Sequence, residues 1–294
     1  MANNLTKQID TLRQRSNNQL LRHLKQLSAP KVLEEAIHYS ILGGGKRVRP
    51  ILTYLVTNML GASIDLADKP AVAIELIHNY SLIHDDLPAM DDDDLRRGKL
   101  SCHKKFNEPI AILAGDAIQA FAFEVLAKAN DLSSSTRIAL ISELASGIGG
   151  NGMVGGQVLD LSYEKKDVQL EEIAYMHSLK TGSLIRSSIR MGGLIAGADP
   201  STLSLISDFG STLGLIFQIR DDILDATGDK AQIGKPKGSD KKKGKATYVT
   251  ILGEKEATRR LHEQYTIARE MAAELGPDGK VLEELSFFIA TRKH

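Results

Sequence analysis

Tryptophan is absent from this 294-residue chain, and aromatic residues make up only 5% of it. A single cysteine, Cys102, excludes a disulfide framework and a cysteine-rich zinc site. Excess charge is missing too: 37 Lys and Arg balance 37 Asp and Glu. A general nucleic-acid binder needs a basic surplus to meet the phosphate backbone, so that class is set aside. No run of about 18 uninterrupted apolar residues is present, so no transmembrane helix is expected. The start, MANNLTKQIDTLRQRS, lacks the apolar core of a signal peptide. Period-two alternation bounded by hairpin turns is scarce. These absences point to a soluble, cytoplasmic chain with no stable membrane association.

What is present is helical periodicity. Leu20, Leu21, Leu24 and Leu27 recur at helix spacing, as do Ile74, Ile77, Tyr80 and Ile83. TRIALISELASGIGG and STLSLISDFGSTLGLIFQIRDDILDAT behave likewise. Breaks are expected at Gly43–Gly45, Gly61, Gly98, Gly149–Gly156, Gly192–Gly193, Gly228 and Gly276. No composition shift marks a domain boundary. The expectation is one all-α domain over residues 1–294, and a helix bundle can carry metal sites on facing helices.

Charge is placed unevenly. HDDLPAMDDDDLRRG, from His84 to Gly98, crowds Asp85, Asp86 and Asp91–Asp94 together and follows them with Arg96 and Arg97. Two like charges at ~4 Å repel by about 4 kcal/mol at an effective dielectric near 20. Such a stretch is either splayed into water or neutralised by a ligand. QIRDDILDATGD repeats the theme with Asp221, Asp222 and Asp225. Asp221 and Asp225 stand at i and i+4, on one helix face. The apolar run before them is poorly explained as a solvated face. In the first stretch Pro88 breaks the helix ladder, and a bend there could bring Asp91 back beside Asp85. Paired clusters of this construction favour a hard-metal site, and clustered carboxylates completed by substrate phosphates suit Mg²⁺. Neither stretch has the spacing of an EF-hand.

Basic residues keep suitable company. LGGGKRVRP, Leu42 to Pro50, joins a glycine turn to Lys46, Arg47 and Arg49. It is not a Walker loop, and it reads equally well as a plain connection between helices. Arg96 and Arg97 follow the acids, and Arg binds phosphate through two parallel bonds. Lys180 and Thr181 sit in HSLKTGSLIR, and Lys235 and Lys245 flank a Gly/Lys segment that also reads as a solvated linker. One region with acids and one with bases alone suit two diphosphates.

Together, GGGKRVRP, LIHDDLPAMDDDDLRRG, GGQVLDL, KTGSLI, FQIRDDILD and GKPKGSDKKKGKATYV resemble the motif series of the trans-isoprenyl diphosphate synthases, in that family's order. The four residues between the acids of the first motif are similar to those of bacterial farnesyl diphosphate synthases. The resemblance implies an antiparallel helix bundle around a deep central cavity, the isoprenoid synthase fold, as a homodimer. It implies that Lys46, Arg49, His78 and Arg97 bind isopentenyl diphosphate. It implies that Arg96, Lys180, Thr181, Gln218, Lys235 and Lys245 surround the allylic diphosphate. Asp85, Asp86, Asp91, Asp221 and Asp225 would hold a cluster of three Mg²⁺ ions. The end of the chain, ATRKH, departs from the family's basic tail. Apart from the resemblance, a His on an apolar helix is more often a core residue than a ligand; His78 carries both readings and His84 only the structural one. Gln157 and Asp160 read as a supporting shell or as ordinary buried polar groups.

The implied reaction joins isopentenyl diphosphate to dimethylallyl and then geranyl diphosphate, with Asp85, Asp91, Arg96, Lys180 and Asp221 carrying the catalysis. A terpene cyclase would need neither the isopentenyl site nor a second full acid motif. A geranylgeranyl or other short-chain synthase remains an alternative, as does a helical protein that binds metal or anions without catalysis. Chain length turns on the helix before Asp85. Tyr80 lies about 7.5 Å and Ser81 about 6 Å below Asp85 on a helix. Ser81 lies nearer the Asp85 face, so geometry alone does not make Tyr80 the floor. The resemblance does, because an aromatic five positions before the first Asp, next to a small residue, looks like the farnesyl-producing pattern.

Overall fold

The computed structural model describes residues 2–164, 166, 168–227 and 246–292. Helices carry nearly all of them, as the periodicity predicts. Contacts gather into two compact units, Thr6–Ser142 and Met1–Leu5 with Glu143–His294.

The Thr6–Ser142 unit holds most of α1 (Ala2–Leu24), then α2 (Lys31–Ile41), α3 (Val48–Met59) and α4 (Asp68–Asp85). A hairpin of β1 (Leu95–Arg96) and β2 (Lys99–Leu100), α5 (Cys102–Phe106), α6 (Glu108–Ala127) and the first part of α7 (Ser134–Ile148) follow. Helix α4 is apolar on nearly every side, with Ile74, Leu76, Ile77, Tyr80 and Ile83 all buried, and such a helix belongs in the middle of its unit. It packs on α3 and α6. In its first turn Asp68 meets the positive end of the helix dipole and accepts hydrogen bonds from Arg15, Gln19 and Tyr54 at 2.7–2.8 Å. That carboxylate ties α1 and α3 to α4. Asn107 caps α6 by accepting the Ile110 N–H at 3.0 Å.

The hairpin was not expected. Its strands are two residues each, too short to show alternation, and its turn residues Arg97 and Gly98 both have positive φ, at 53° and 76°. Two left-handed residues make the type I′ turn that fits the twist of paired strands.

The second unit holds α8 (Met153–Tyr163), α9 (Leu170–His177), a π-helical turn (Ser178–Gly182), α10 (Ser183–Ala196) and α11 (Pro200–Thr227). Helices Tyr248–Leu252, Glu254–Glu274 and Lys280–Thr291 complete it. Helix α11 packs between α10 and Glu254–Glu274. One expected break is corrected: Gly192 and Gly193 lie inside α10, which ends at the left-handed Gly197. A side chain at Gly193 would meet Ile206 at 2.6 Å, so this glycine serves helix packing and not termination.

Helices α6 and α11 are long and apolar enough to cross a membrane by length and composition. Each also buries part of its surface inside its own unit, as the core helices of folded domains do.

Candidate active site

In the first unit the acid stretch is shaped by the turn after α4. Pro88 follows the helix end, and the Asp91 N–H donates to the Asp85 carbonyl at 2.9 Å. The expected bend is therefore present, and it returns Asp91 to the end of α4 beside Asp85. Both are half-buried. Asp86, next in sequence, is 2% exposed and accepts Arg96 Nε at 2.9 and 3.2 Å, with a third bond from Arg96 Nη2. The structure thus places Asp86 with Arg96, and its carboxylate is taken up by that fork. Of the later acids, Asp93 stands 3.5 Å from Arg96 Nη2. Asp94 pairs with Lys104 at 2.8 Å, and it lies with Asp92 and His103 in a group whose ligand atoms fall within 4.8 Å of one another.

The hairpin sets the two arginines. Arg96 turns to Asp86, while Arg97 donates through Nη1 to the Gly44 carbonyl. The glycine turn is built for that approach: Gly45 has φ +139°, and a side chain there would stand 3.0 Å from the Arg97 guanidinium. Lys46 is exposed and Arg49 half-buried at the start of α3. Arg47 corrects its expected role as a phosphate donor. It is 3% exposed and pairs with Glu75 at 2.7 Å, and also donates to Asn17 at 2.9 Å and the Ile41 carbonyl at 2.7 Å. It holds the core.

His78, half-buried on α4, feels this whole group. Burial, followed by the charges of Arg49, Arg97, Arg47 and Arg96, pushes its pKa well below the ordinary value, so the imidazole is neutral. A cleft beside these residues is lined by Tyr39, Gly43, Asn79, Asp86, Arg96 and Arg97. His84 bonds the Ile112 carbonyl through Nε2 at 3.0 Å, the structural role expected of it. Tyr80 is 5% exposed and stacks edge-on against His84 at 5.7 Å. Ser81 is half-buried and donates to the His78 carbonyl at 2.9 Å.

The second unit gathers its own set. Lys180 and Thr181 lie on the π-helical turn, a distortion that recurs at functional sites. Two glycines grip that turn. A side chain at Gly156 on α8 would come within 2.1 Å of the Lys180 nitrogen, and one at Gly214 on α11 within 2.7 Å of the Gly182 Cα. Lys180 Nζ donates to Asp160 at 2.6 Å. Asp160 is thus the positioning partner whose role the sequence left open. The Gln157 side-chain nitrogen is buried without a hydrogen bond.

Thr181 donates to Gln218 at 3.2 Å, and Gln218 donates to Asp222 at 2.8 Å. Asp222 is 3% exposed, and its other oxygen accepts the Tyr248 N–H at 2.8 Å at the start of helix Tyr248–Leu252. An open cleft is lined by Asp160, His177, Lys180, Thr181, Gln218 and Asp222. Asp221 and Asp225 stand half-buried on one face of α11, as their spacing predicts. Lys235 and Lys245 lie outside the described residues.

Each Asp-Asp pair therefore divides its labour. The first carboxylate, Asp85 or Asp221, stays accessible; the second, Asp86 or Asp222, is held inside. Accessible oxygen donors at the end of a helix fit Mg²⁺, which needs room to keep its waters.

A family model described as polyprenyl synthetase matches residues 30–276. The farnesyl diphosphate synthase of Escherichia coli (strain K12) is 47% identical over 264 residues, 88% of each chain. That of Geobacillus stearothermophilus is 43% identical over 277 residues, 94% of this chain and 93% of its own. Among solved structures, the FPP/GFPP synthase of Zymomonas mobilis superposes with a TM-score of 0.88 at 34% identity, covering 99% of this chain and all of that one.

Proposed function

The chain belongs to the polyprenyl synthetase family, and from that premise we propose a Mg²⁺-dependent prenyltransferase that makes (2E,6E)-farnesyl diphosphate. It condenses isopentenyl diphosphate with dimethylallyl diphosphate, then with geranyl diphosphate, and releases diphosphate at each step. We assign both units to one catalytic domain, and the enzyme to the cytoplasm as a homodimer.

One observation carries the reading. The bond from Arg97 to the Gly44 carbonyl joins the glycine turn to the first acid motif. A basic cradle of Lys46, Arg49 and Arg97 thereby lies beside the half-buried carboxylates of Asp85 and Asp91 in one unit. The cradle suits a diphosphate bound by cations alone, and the carboxylates suit a diphosphate bound through metal. Two substrates held side by side avoid much of the entropic cost of their encounter.

In the cradle, Lys46, Arg49 and Arg97 bind isopentenyl diphosphate. Neutral His78 adds a hydrogen bond without adding to the charge crowded there. Asp85 and Asp91 in one unit, and Asp221 and Asp225 in the other, would hold Mg²⁺, while Asp86 fixes the Arg96 guanidinium. Mg²⁺ held there would supply positive charge to the departing diphosphate. Arg96 and Lys180 would each offer fixed positive charge to a leaving diphosphate as the allylic C–O bond breaks. Asp160 holds Lys180 for that purpose. Thr181 and Gln218 present their oxygens to the allylic cation, and the double bond of isopentenyl diphosphate then attacks it. The proton lost afterwards goes to the released diphosphate, since the carboxylates serve as ligands.

The test is incubation with radiolabelled isopentenyl diphosphate and dimethylallyl diphosphate, with and without EDTA, followed by product chromatography. A fifteen-carbon product that vanishes with EDTA is the expected result. A twenty-carbon or longer product would make the chain a geranylgeranyl-type synthase. No product with metal present would leave only a binding role.

A further inference from the structure

The chain leaves the helix Lys280–Thr291 in an extended conformation at Arg292, whose side chain turns back onto α11. Its Nη2 donates to Asp221 Oδ1 at 2.5 Å and to the Phe217 carbonyl at 3.3 Å. Its guanidinium carbon stands 4.0 Å from the centre of the Phe217 ring, well inside cation–π range. Arg220 grips the same residue from the other side, donating Nε to the Arg292 carbonyl at 2.8 Å. Phe217, Arg220 and Asp221 are at i, i+3 and i+4, so one face of α11 makes every one of these contacts.

The arrangement is uneven in a way that matters. The Arg292 side chain is 8% exposed, while that of Asp221 is 44% exposed. The guanidinium is covered, while the carboxylate it holds is partly exposed. Two guanidiniums, Arg220 and Arg292, crowd the carboxylate. A divalent ion arriving at Asp221 would add two more positive charges to this group.

We propose that Arg292 is a positioning residue for the metal site. It occupies Asp221 before metal loads, gives it up when metal binds, and so sets how much metal the second acid motif requires. The proposal rests on Asp221 being a metal ligand. A ligand whose competent state is only partly populated binds with an affinity reduced by that fraction. If Arg292 covers Asp221 for about 80–90% of the time, its removal strengthens metal binding about five- to tenfold.

The experiment is an electron paramagnetic resonance titration with Mn²⁺ in the presence of inorganic diphosphate, on the full chain. Wild type, Asp221→Asn, Arg292→Ala and Arg292→Lys are compared, with a melting curve for each. Arg292→Ala is expected to lower the Mn²⁺ half-saturation about five- to tenfold. Arg292→Lys should fall between, because an ammonium keeps the charge but lacks the flat face that stacks on Phe217. A residue that only braced the fold would shift the melting temperature and leave half-saturation alone. Unchanged or weaker Mn²⁺ binding in Arg292→Ala, with Asp221→Asn weakened, overturns the proposal and spares the metal assignment. Unchanged binding in Asp221→Asn overturns both.

Discussion

Neighbouring carboxylates of one chemical type have been given opposite tasks. Asp221 and Asp222 differ by one position on α11, a rotation of about 100°. That rotation leaves the first half-exposed and turns the second onto the Gln218 amide and the Tyr248 N–H. Asp222→Ala should therefore strand two donors in the interior and cost about 2 kcal/mol or more. Asp85→Ala should leave the melting temperature near wild type and cut turnover by orders of magnitude, while Asp221→Ala should cut turnover as far and also lower the melting temperature by unpairing the covered Arg292. Melting curves and initial rates on all three variants check this, and a stable, slow Asp222→Ala would reverse the roles. The sequence shows the acids of both motifs but not this division, because either member of an Asp-Asp pair could be the inner one. What decides is the partner across the packing: Arg96 for Asp86, and the start of helix Tyr248–Leu252 for Asp222. His78 allows a pH test. Burial and four arginines depress its pKa below the ordinary 6.5, so the folded imidazole is neutral where the unfolded one begins to take protons. Below pH 6.5 the unfolded state then binds more protons. The stability that follows is full above that value and is lost as pH falls through the depressed one. Melting temperatures of wild type and His78→Gln from neutral pH downward should diverge in slope below pH 6.5, with the variant falling less. Parallel curves would show that His78 is not held neutral.

At the scale of elements, the long helices were legible and the short distortions were not. The apolar spacing of α4, α7 and α11 is sustained over several turns, and a local pattern of that length survives folding. The hairpin depends on a non-glycine residue, Arg97, in the left-handed region, which its own chemistry does not announce. The π-helical turn depends on what packs against it. Gly156 and Gly214 allow α8 and α11 to close on that turn, and the glycines of GGQVLDL make physical sense only once the contact is seen. A methyl group at Gly156 has no space, because it would sit 2.1 Å from the Lys180 backbone nitrogen. Gly156→Ala should thus push the turn outward and displace Lys180 from Asp160. A shift near 1 Å at a catalytic group costs on the order of 10²-fold in rate. Gly197→Ala is the contrast. It sits at φ +69° with open space around it, so it should lose about 1 kcal/mol of stability and little turnover. Turnover measured beside melting temperature separates the two. An equal fall in rate for both would mean that Gly156 acts through general stability.

At the scale of the whole molecule, the question is where chain growth stops. The helix that ends in Asp85 is also the helix that carries Tyr80, so the acid motif and the candidate floor share one rigid rod. Sequence geometry alone favours Ser81 as the residue nearer the Asp85 face, but Ser81 spends its hydroxyl on the His78 carbonyl and fills little space. Tyr80 is the bulky group, and it is packed where α4 meets α6. Its hydroxyl has no well-formed hydrogen bond. Burial and then the charge of Asp85 push its pKa up to about 12, with some relief from Gln119 on α6. The hydroxyl is therefore neutral across the working range, and the ring supplies the bulk. That separates the two parts of the side chain experimentally. Tyr80→Phe keeps the ring and removes a hydroxyl that contributes little, so it should still yield the fifteen-carbon product at near-normal stability. Tyr80→Ala removes the ring, which should cost about 3 kcal/mol in lost packing and open a cavity along α4. With the ring gone the growing tail has room for another five-carbon unit, and products of twenty carbons or more should appear on chromatography of the same incubation. Longer products from both variants would assign the stop to the hydroxyl. Fifteen carbons from a folded, active Tyr80→Ala enzyme would move the floor to another residue along the tail's path.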